Sequence, residues 1–329
     1  MVKVAVLDDY QGVARDLGDW SILPPDVELY TFQDHLTDED MLVERLIGFE
    51  IVVGMRERTP FPKSLLERLP ALKLLITTGM ANASFDLDVA TDLGILVAGT
   101  SNLGNTTGEL TWGLMMALTR RIAEEDKATR TGQWQTTIGP SLEGKTLGLL
   151  GLGRIGSQVA GYGRAFQMSV IAWSQNLTSD RAAECGATLV SKEELFTKAD
   201  VVSIHVRLSE RTKGLVTSQE LSLMKPSAYF VNTSRGPIVD ESALIDLLRR
   251  KAIAGAALDV FDEEPLPLNH PLRHMENTVI TPHLGYVTTE SYQVMYSEAA
   301  QDIQAFLSGQ FTRALNPAVL KYPNLRRVK

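Results

Sequence analysis

The sequence predicts an α/β protein made of two doubly wound parallel-sheet domains, and three observations predict it. Short apolar runs alternate with polar, helix-compatible stretches along almost the whole chain, which is the pattern of βα units. The runs are apolar throughout rather than alternating in and out, as expected of strands covered on both faces. The alternation is interrupted once, by a long helical stretch and a loop carrying Gly132, Trp134, Gly139 and Pro140, after which a second series begins.

The first series places strands at 2–7, 27–32, 51–53, 72–76 and 95–97, with helices at 37–47, 63–69 and 86–92. Residues 104–122 read as one long helix, with Leu110, Leu114, Ala117 and Leu118 at helical spacing. The second series places strands at 146–150, 169–173, 188–190, 201–204, 228–232, 255–258 and 278–280. A last long helix, 288–307, is rich in polar residues, and the tail from Gly309 carries Pro317 and Pro323. There is no internal repeat and no low-complexity tract. The two long helices are natural crossovers, so the expected N-terminal domain is discontinuous: residues 1–103 with 287–329, with 104–286 inserted as the second domain.

Composition agrees and narrows the function. The 329 residues are 44% hydrophobic and 22% charged, globular proportions for about two domains at roughly 150 residues each. Lys and Arg number 32 against 40 Asp and Glu, a net charge of −8, which argues against nucleic-acid or anionic-membrane binding through the overall field. One cysteine, Cys185, allows no internal disulfide and no metal site built on a Cys cluster; it reads as a small buried residue. The N-terminus turns acidic at Asp8 and Asp9, too soon for a signal peptide, and no window reaches the ~18 to 20 apolar residues of a membrane helix. A cytoplasmic protein with no membrane partner is the expectation.

Gly151-Leu152-Gly153-Arg154-Ile155-Gly156 is a G-x-G-x-x-G turn. Alone the pattern is weak, but here an apolar strand leads in, a helix leads out and another strand follows at βαβ length. Gly151 permits the tight turn, Gly153 lets backbone approach a pyrophosphate, and Gly156 lets helix pack on strand. The helix N-terminus adds free N–H groups and partial positive charge. The expectation is a Rossmann dinucleotide site, the alternative being a Gly-rich turn with no ligand. An NAD-binding domain usually ends its second strand with Asp or Glu on the ribose hydroxyls. This chain has Ser174-Gln175-Asn176 there and no carboxylate. A 2′-phosphate would not be repelled, which favours NADP; no Arg follows directly to clamp it, and NAD stays open.

Three later stretches put polar groups at the ends of apolar strands, where ligands bind in open α/β sheets. Arg235, held between Ser234 and Gly236-Pro237, can offer a planar fork to a carboxylate, or simply satisfy loop carbonyls. Asp259, Asp262, Glu263 and Glu264 form an acidic stretch, and Thr281-Pro282-His283-Leu284-Gly285 carries a histidine. A His–carboxylate pair on this edge would hold a proton ready near neutral pH and suits proton transfer to or from an oxygen. The parts fit hydride chemistry, with Glu264 orienting His283, His283 serving as proton donor and acceptor, and Arg235 holding the carbonyl and carboxylate.

With these motifs in place the sequence resembles the D-isomer-specific 2-hydroxyacid dehydrogenases, which include D-3-phosphoglycerate dehydrogenases and glyoxylate/hydroxypyruvate reductases. The resemblance runs over essentially the whole chain. It rests on Gly144-Lys145-Thr146-Leu147-Gly148 before the glycine turn, Asn232-Thr233-Ser234-Arg235-Gly236, the 255–265 stretch and Thr281-Pro282-His283-Leu284-Gly285. It implies a Rossmann cofactor domain inserted into a discontinuous flavodoxin-like substrate domain, with an active cleft between them. It implies Arg235, Glu264 and His283 as the catalytic triad. On the cofactor it implies Gly151, Gly153, Arg154, Ile155, Gly156, Ser174, His205, Thr233 and Asp259, with Thr106 near the nicotinamide end. It implies backbone of Met80 and Ala81 as the cradle of the substrate carboxylate, no metal, and a homodimer formed largely through the cofactor domains. The tail is too short for the regulatory domain that some phosphoglycerate dehydrogenases carry.

Three departures stand out. The substrate loop reads Gly79-Met80-Ala81-Asn82-Ala83-Ser84-Phe85-Asp86, so substrate size is open. Arg207 replaces a Pro in His205-Val206-Arg207-Leu208, and the acid is missing at Ser174. Arg56 and Arg58 follow a strand end; Arg56 is the candidate for a second anionic group on the substrate, and the alternative is a surface ion-pair cluster with Glu57. Trp134 reads as interface packing. The resulting expectation is an NAD(P)-dependent enzyme moving hydride between nicotinamide and a small D-2-hydroxy or 2-oxo acid. The rivals are a nucleotide-sensing corepressor-like binding protein on the same fold and a formate or phosphite dehydrogenase, the acid before Pro265 fitting hydroxyacid enzymes better.

Overall fold

The computed structural model describes residues 1–101 and 103–327; Asn102 and the last two positions of the expected C-terminal segment, Val328 and Lys329, lie outside the described residues. The chain divides into two compact units, Met1–Leu103 with Thr288–Lys329, and Gly104–Val287.

The first unit is built on strands β1 (Val2–Val6), β2 (Val27–Thr31), β3 (Ile51–Gly54), β4 (Leu74–Thr77) and β5 (Leu96–Gly99). Their order is β2-β1-β3-β4-β5, all neighbours parallel, which is the flavodoxin-like winding. β3, β4 and β5 are buried at every position, which is why their runs are apolar without alternation. Helix Thr289–Leu307 belongs to this unit. Tyr292, Met295, Tyr296, Ala299, Ala300, Ile303 and Phe306 form its buried stripe at helical spacing, and the Thr288 side chain caps it by accepting from Ser291 N–H.

The second unit holds β6 (Thr146–Leu150), β7 (Ser169–Trp173), β8 (Thr188–Leu189), β9 (Val201–Ile204), β10 (Tyr229–Asn232), β11 (Gly255–Leu258) and β12 (Thr278–Ile280). The order β12-β11-β10-β9-β6-β7-β8 is all parallel. Winding reverses between β6 and β9, so the carboxyl ends of those strands flank the switch point where a dinucleotide binds in such sheets.

One expectation fails. The helix read at 104–122 ends early, at Thr106–Thr119, and a second helix, Ile122–Arg130, follows in what had read as loop. Arg121 between them takes left-handed backbone, φ +50°, which breaks the hydrogen-bonded series. The second helix buries only Ala128, so it carries almost no apolar periodicity for a sequence pattern to find. Among the described residues, no helix is long and apolar enough to cross a membrane.

Candidate active site

The glycine turn comes straight off β6. Gly151 adopts φ +103°, and a side chain there would sit 2.7 Å from His205 carbonyl oxygen. A side chain on Gly156 would sit 2.2 Å from Gly151 carbonyl oxygen. Gly153, by contrast, faces open space and stands at the N-cap of the 12-residue helix Arg154–Ala165. The first-turn N–H groups of that helix, left over by its geometry, therefore border a space that a side chain at Gly153 would fill. These residues fit a dinucleotide pyrophosphate.

Arg154, Ile155, His205 and Ser174 lie in or beside this turn: Gly151 N–H donates to the Trp173 carbonyl oxygen at 2.8 Å, just before Ser174. Arg154 lies with its guanidinium against Gly104, and Ile155 is half-buried. His205 is hydrogen-bonded from Nε2 to Ser203 Oγ at 2.9 Å, and burial pushes its imidazole down to about 4, so it is neutral at physiological pH. Ser174 follows β7 with no carboxylate beside it. Nearby, Cys185 is half-buried rather than enclosed, 3.3 Å from Ser157 Oγ. Arg181 also reaches Ser157 Oγ, at 3.3 Å, while its other nitrogen holds Glu184 at 2.9 Å. A guanidinium thus stands at the first turn of the phosphate helix. Sequence reading missed it because it sits seven positions beyond Ser174, on a separate short helix.

The catalytic candidates come from three loops at the carboxyl ends of β10, β11 and β12. After β10, Asn232 folds the chain back: its Oδ1 accepts from Ser234 N–H and its Nδ2 donates to Arg235 carbonyl oxygen, both at 3.0 Å. Ser234 Oγ donates to Val206 carbonyl oxygen, and Arg235 Nη1 donates to Ser234 carbonyl oxygen at 2.7 Å. Gly236 then packs so closely that a side chain would stand 2.1 Å from Phe261 backbone. Only glycine lets the Arg235 loop meet the loop that carries Glu264.

His283 takes left-handed backbone, φ +56°, which a bulky residue adopts only where surroundings enforce it. The enforcing group is Asp259. It is fully buried and accepts from Thr281 Oγ1 at 2.6 Å, Leu284 N–H at 2.7 Å and Gly285 N–H at 2.9 Å. Burial pushes its carboxyl up, against these hydrogen bonds and the His283 charge. Asp259, expected on the cofactor, is therefore first of all the anchor of the 281–285 turn. Thr107, one residue beyond the expected Thr106, donates to Gly285 carbonyl oxygen at 2.9 Å, and Thr111 and the expected Thr233 share a buried hydroxyl pair at 2.7 Å. Thr107 and Thr111 are four apart on one helix face; that spacing was the available signal.

The anchored turn brings His283 Nδ1 to 2.6 Å from Glu264 Oε2. Burial alone would raise the Glu264 carboxyl. The hydrogen bond and charge of His283, the Phe261 N–H at 3.0 Å and the Arg235 charge together hold it below the usual value. A carboxylate only accepts, so the neutral imidazole carries its proton on Nδ1, leaving Nε2 to exchange one with a ligand. Arg235, Glu264 and His283 thus come together from the loops after β10, β11 and β12.

In the first unit, Met80 and Ala81 follow β4 in an exposed turn, and among the described residues their N–H groups have no acceptor. Arg56, at φ +54°, lies across this turn: its N–H donates to Thr78 Oγ1 at 2.9 Å and its Nη1 to Thr78 carbonyl oxygen at 3.1 Å. Asn82 Nδ2 donates to Arg56 carbonyl oxygen at 2.6 Å. Arg58 instead lies over the Tyr10 ring, 4.6 Å from its centroid. Arg207 is exposed.

A dinucleotide turn and an acid-paired histidine on one parallel sheet define a nicotinamide-dependent oxidoreductase. Comparison with known proteins places it further. Residues 112–285 match the family described as D-isomer specific 2-hydroxyacid dehydrogenase, NAD binding domain. A glyoxylate reductase of Aeropyrum pernix is 42% identical over 256 residues, covering 75% of this chain and 76% of the relative. A D-3-phosphoglycerate dehydrogenase of Methanocaldococcus jannaschii is 33% identical over 337 residues, covering all of this chain and 61% of the relative. A crystal structure described as a putative D-3-phosphoglycerate dehydrogenase from Ralstonia solanacearum superposes with a TM-score of 0.93 at 38% identity, covering 99% of this chain and 100% of that one. The chain belongs to the D-isomer-specific 2-hydroxyacid dehydrogenase family and is an NAD(P)-dependent oxidoreductase of that class.

Proposed function

We propose that the protein interconverts a small 2-oxo acid and its D-2-hydroxy acid, with His283 as proton donor and acceptor. The observation that carries this reading is the 2.6 Å His283–Glu264 pair, with Arg235 acting on the same carboxylate, on the sheet that bears the dinucleotide turn. The nicotinamide, when bound, supplies or takes the hydride. The chain does the rest. Gly151, Gly153, Arg154, Ile155 and Gly156 hold the pyrophosphate. Arg235 offers its fork to the substrate carbonyl and carboxylate. His283 Nε2 gives a proton to the carbonyl oxygen in reduction and removes it in oxidation, and Glu264 stabilises the imidazolium and fixes its orientation. Free N–H groups at Met80 and Ala81 receive the substrate carboxylate.

The substrates named for the relatives are glyoxylate and 3-phosphoglycerate. Arg56, beside the Met80 turn, supports an acid with a second anionic group over glyoxylate. NADP is favoured over NAD, because Ser174 offers no carboxylate to repel a 2′-phosphate and Arg181 places a guanidinium at the phosphate helix. A homodimer through the second unit belongs to the same reading, since Ile122, Trp134 and Ile138 expose large apolar side chains there. The test is loss of the reduced-nicotinamide absorbance with NADH or NADPH and a panel of 2-oxo acids. Turnover is expected with NADPH and an acid carrying a second anion. Nucleotide binding without turnover of any acid would favour the sensing reading.

A further inference from the structure

The turn that carries Glu264, residues 261–264, closes on itself through Phe261 N–H and Glu264 Oε1 at 3.0 Å. A bond from another element also holds its backbone. Asp262 N–H donates to Glu241 Oε2 at 3.2 Å. The other Glu241 oxygen, Oε1, lies 3.2 Å from His270 Nε2. His270 Nδ1 accepts from Leu272 N–H at 3.4 Å, so Nε2 carries the proton and donates to Glu241. The two side chains are 15% and 16% exposed, well covered for an ion-forming pair. Glu241 is in turn fixed as the first residue of helix Glu241–Arg249, which Asp240 caps by accepting from Ala243 N–H at 3.0 Å.

We propose that Glu241 is a positioning residue for the reaction: bridging the Asp262 amide and the His270 imidazole, it holds the 261–264 turn where Glu264 meets His283. The inference rests on the reading in which His283 and Glu264 carry the chemistry. The geometry calls for such a support. The Glu264 side chain retains substantial exposure, and its hold on His283 is one short hydrogen bond. A shift of about 1 Å in a positioned group is enough to cost about 100-fold in rate. From one side Gly236 fixes Phe261 by contact; from the other Glu241 fixes Asp262 by hydrogen bonding. The charged and titratable groups around the bridge are Asp240, Asp262, Glu264 and His270. Asp262 shows the crowding, because burial, then the Glu241 and Asp240 charges, push its carboxyl up.

The alternative is that Glu241 only favours its helix N-terminus, a small stabilising effect with no kinetic consequence. Four readouts on the full chain separate the two: kcat and KM with a 2-oxo acid, nucleotide affinity by fluorescence, the pH profile of kcat, and thermal melting. Glu241→Ala should lower kcat by about 10- to 100-fold, leave nucleotide affinity within about twofold, and shift the limb of the pH profile that reports the His283–Glu264 pair. Glu241→Gln, which keeps an oxygen for Asp262 N–H but sets its NH2 against the His270 Nε2–H, should recover part of kcat. In the same variant the Asp262 carboxyl, followed by carbon NMR, should titrate lower. Should Glu241→Ala fold poorly, the comparison of Glu241→Gln with His270→Gln carries the test. Unchanged kcat in folded Glu241→Ala, or no recovery in Glu241→Gln, overturns the positioning role. Glu264→Gln is run beside them: full activity there overturns the underlying reading as well, whereas its loss with an unaffected Glu241→Ala overturns this inference alone.

Discussion

Each unit carries a histidine–carboxylate pair just beyond the carboxyl end of a parallel strand, and the two pairs do opposite things. After β1, Asp8 takes left-handed backbone, φ +57°, and is 1% exposed. His35 Nδ1 sits 2.8 Å from its Oδ1, and Thr59 Oγ1 donates to its Oδ2 at 2.7 Å. Both oxygens are engaged within the protein and covered. In the second unit the left-handed residue is the histidine, and the acid keeps 30% of its side-chain surface. Arg235 acts on that acid, and the glycine turn opens on the same sheet. Residue types and hydrogen-bond length are nearly alike. What makes one pair a tie and the other the proposed reaction centre is what remains unsatisfied around it.

Five substitutions break or sharpen that contrast. Among these five the largest loss is expected for Arg235→Ala. Without the fork, kcat/KM should fall by about 10²- to 10³-fold in steady-state assays while the melting temperature stays put. Glu264→Gln should cost about 10- to 100-fold in kcat. It should also change acid stability in a defined direction. The folded-state carboxyl titrates below its ordinary 4.5, so its contribution is present above that value and is lost as pH falls through the folded value. Melting followed from neutral pH to below 4.5 should therefore show a shallower acid decline in the Gln variant than in the parent.

Two glycines of one turn should separate binding from folding. Gly153→Val, into open space, should weaken nucleotide binding about tenfold or more in a fluorescence titration and leave melting unchanged. Gly156→Ala should instead lower the melting temperature, because its side chain meets backbone at 2.2 Å. The smallest kinetic effect belongs to the first unit. Asp8→Asn should lower Tm by roughly 3–8 °C through broken buried hydrogen bonds, with kcat within about twofold. A large kinetic loss there would erase the contrast between the two pairs.

Most of this molecule is legible in its sequence, for a physical reason. Every expected strand is present; β3, β4, β5, β9 and β11, buried at every position, need uninterrupted apolar runs that are visible without context, whereas β2, β8 and β12 are only partly covered. Arg235, Glu264 and His283 were legible because their flanking glycines and prolines mark strand ends. Helix Ile122–Arg130 was not, since one buried alanine leaves no periodicity. The supports were also hidden. Gly236 against Phe261, Asp259 under the 281–285 turn and Glu241 beneath the 261–264 turn act across 21 to 26 positions of sequence. They join loops that only the sheet brings together.

The central claim is that His283 moves the proton and the nucleotide turn does not depend on it. Wild type and His283→Ala should be compared for turnover of a 2-oxo acid at the reduced-nicotinamide band, with nucleotide affinity and melting measured on the same samples. The expected result is a loss of about 10²- to 10⁴-fold in kcat, with affinity and melting unchanged. A His283→Ala protein that binds nucleotide and turns over at near the wild-type rate would contradict it.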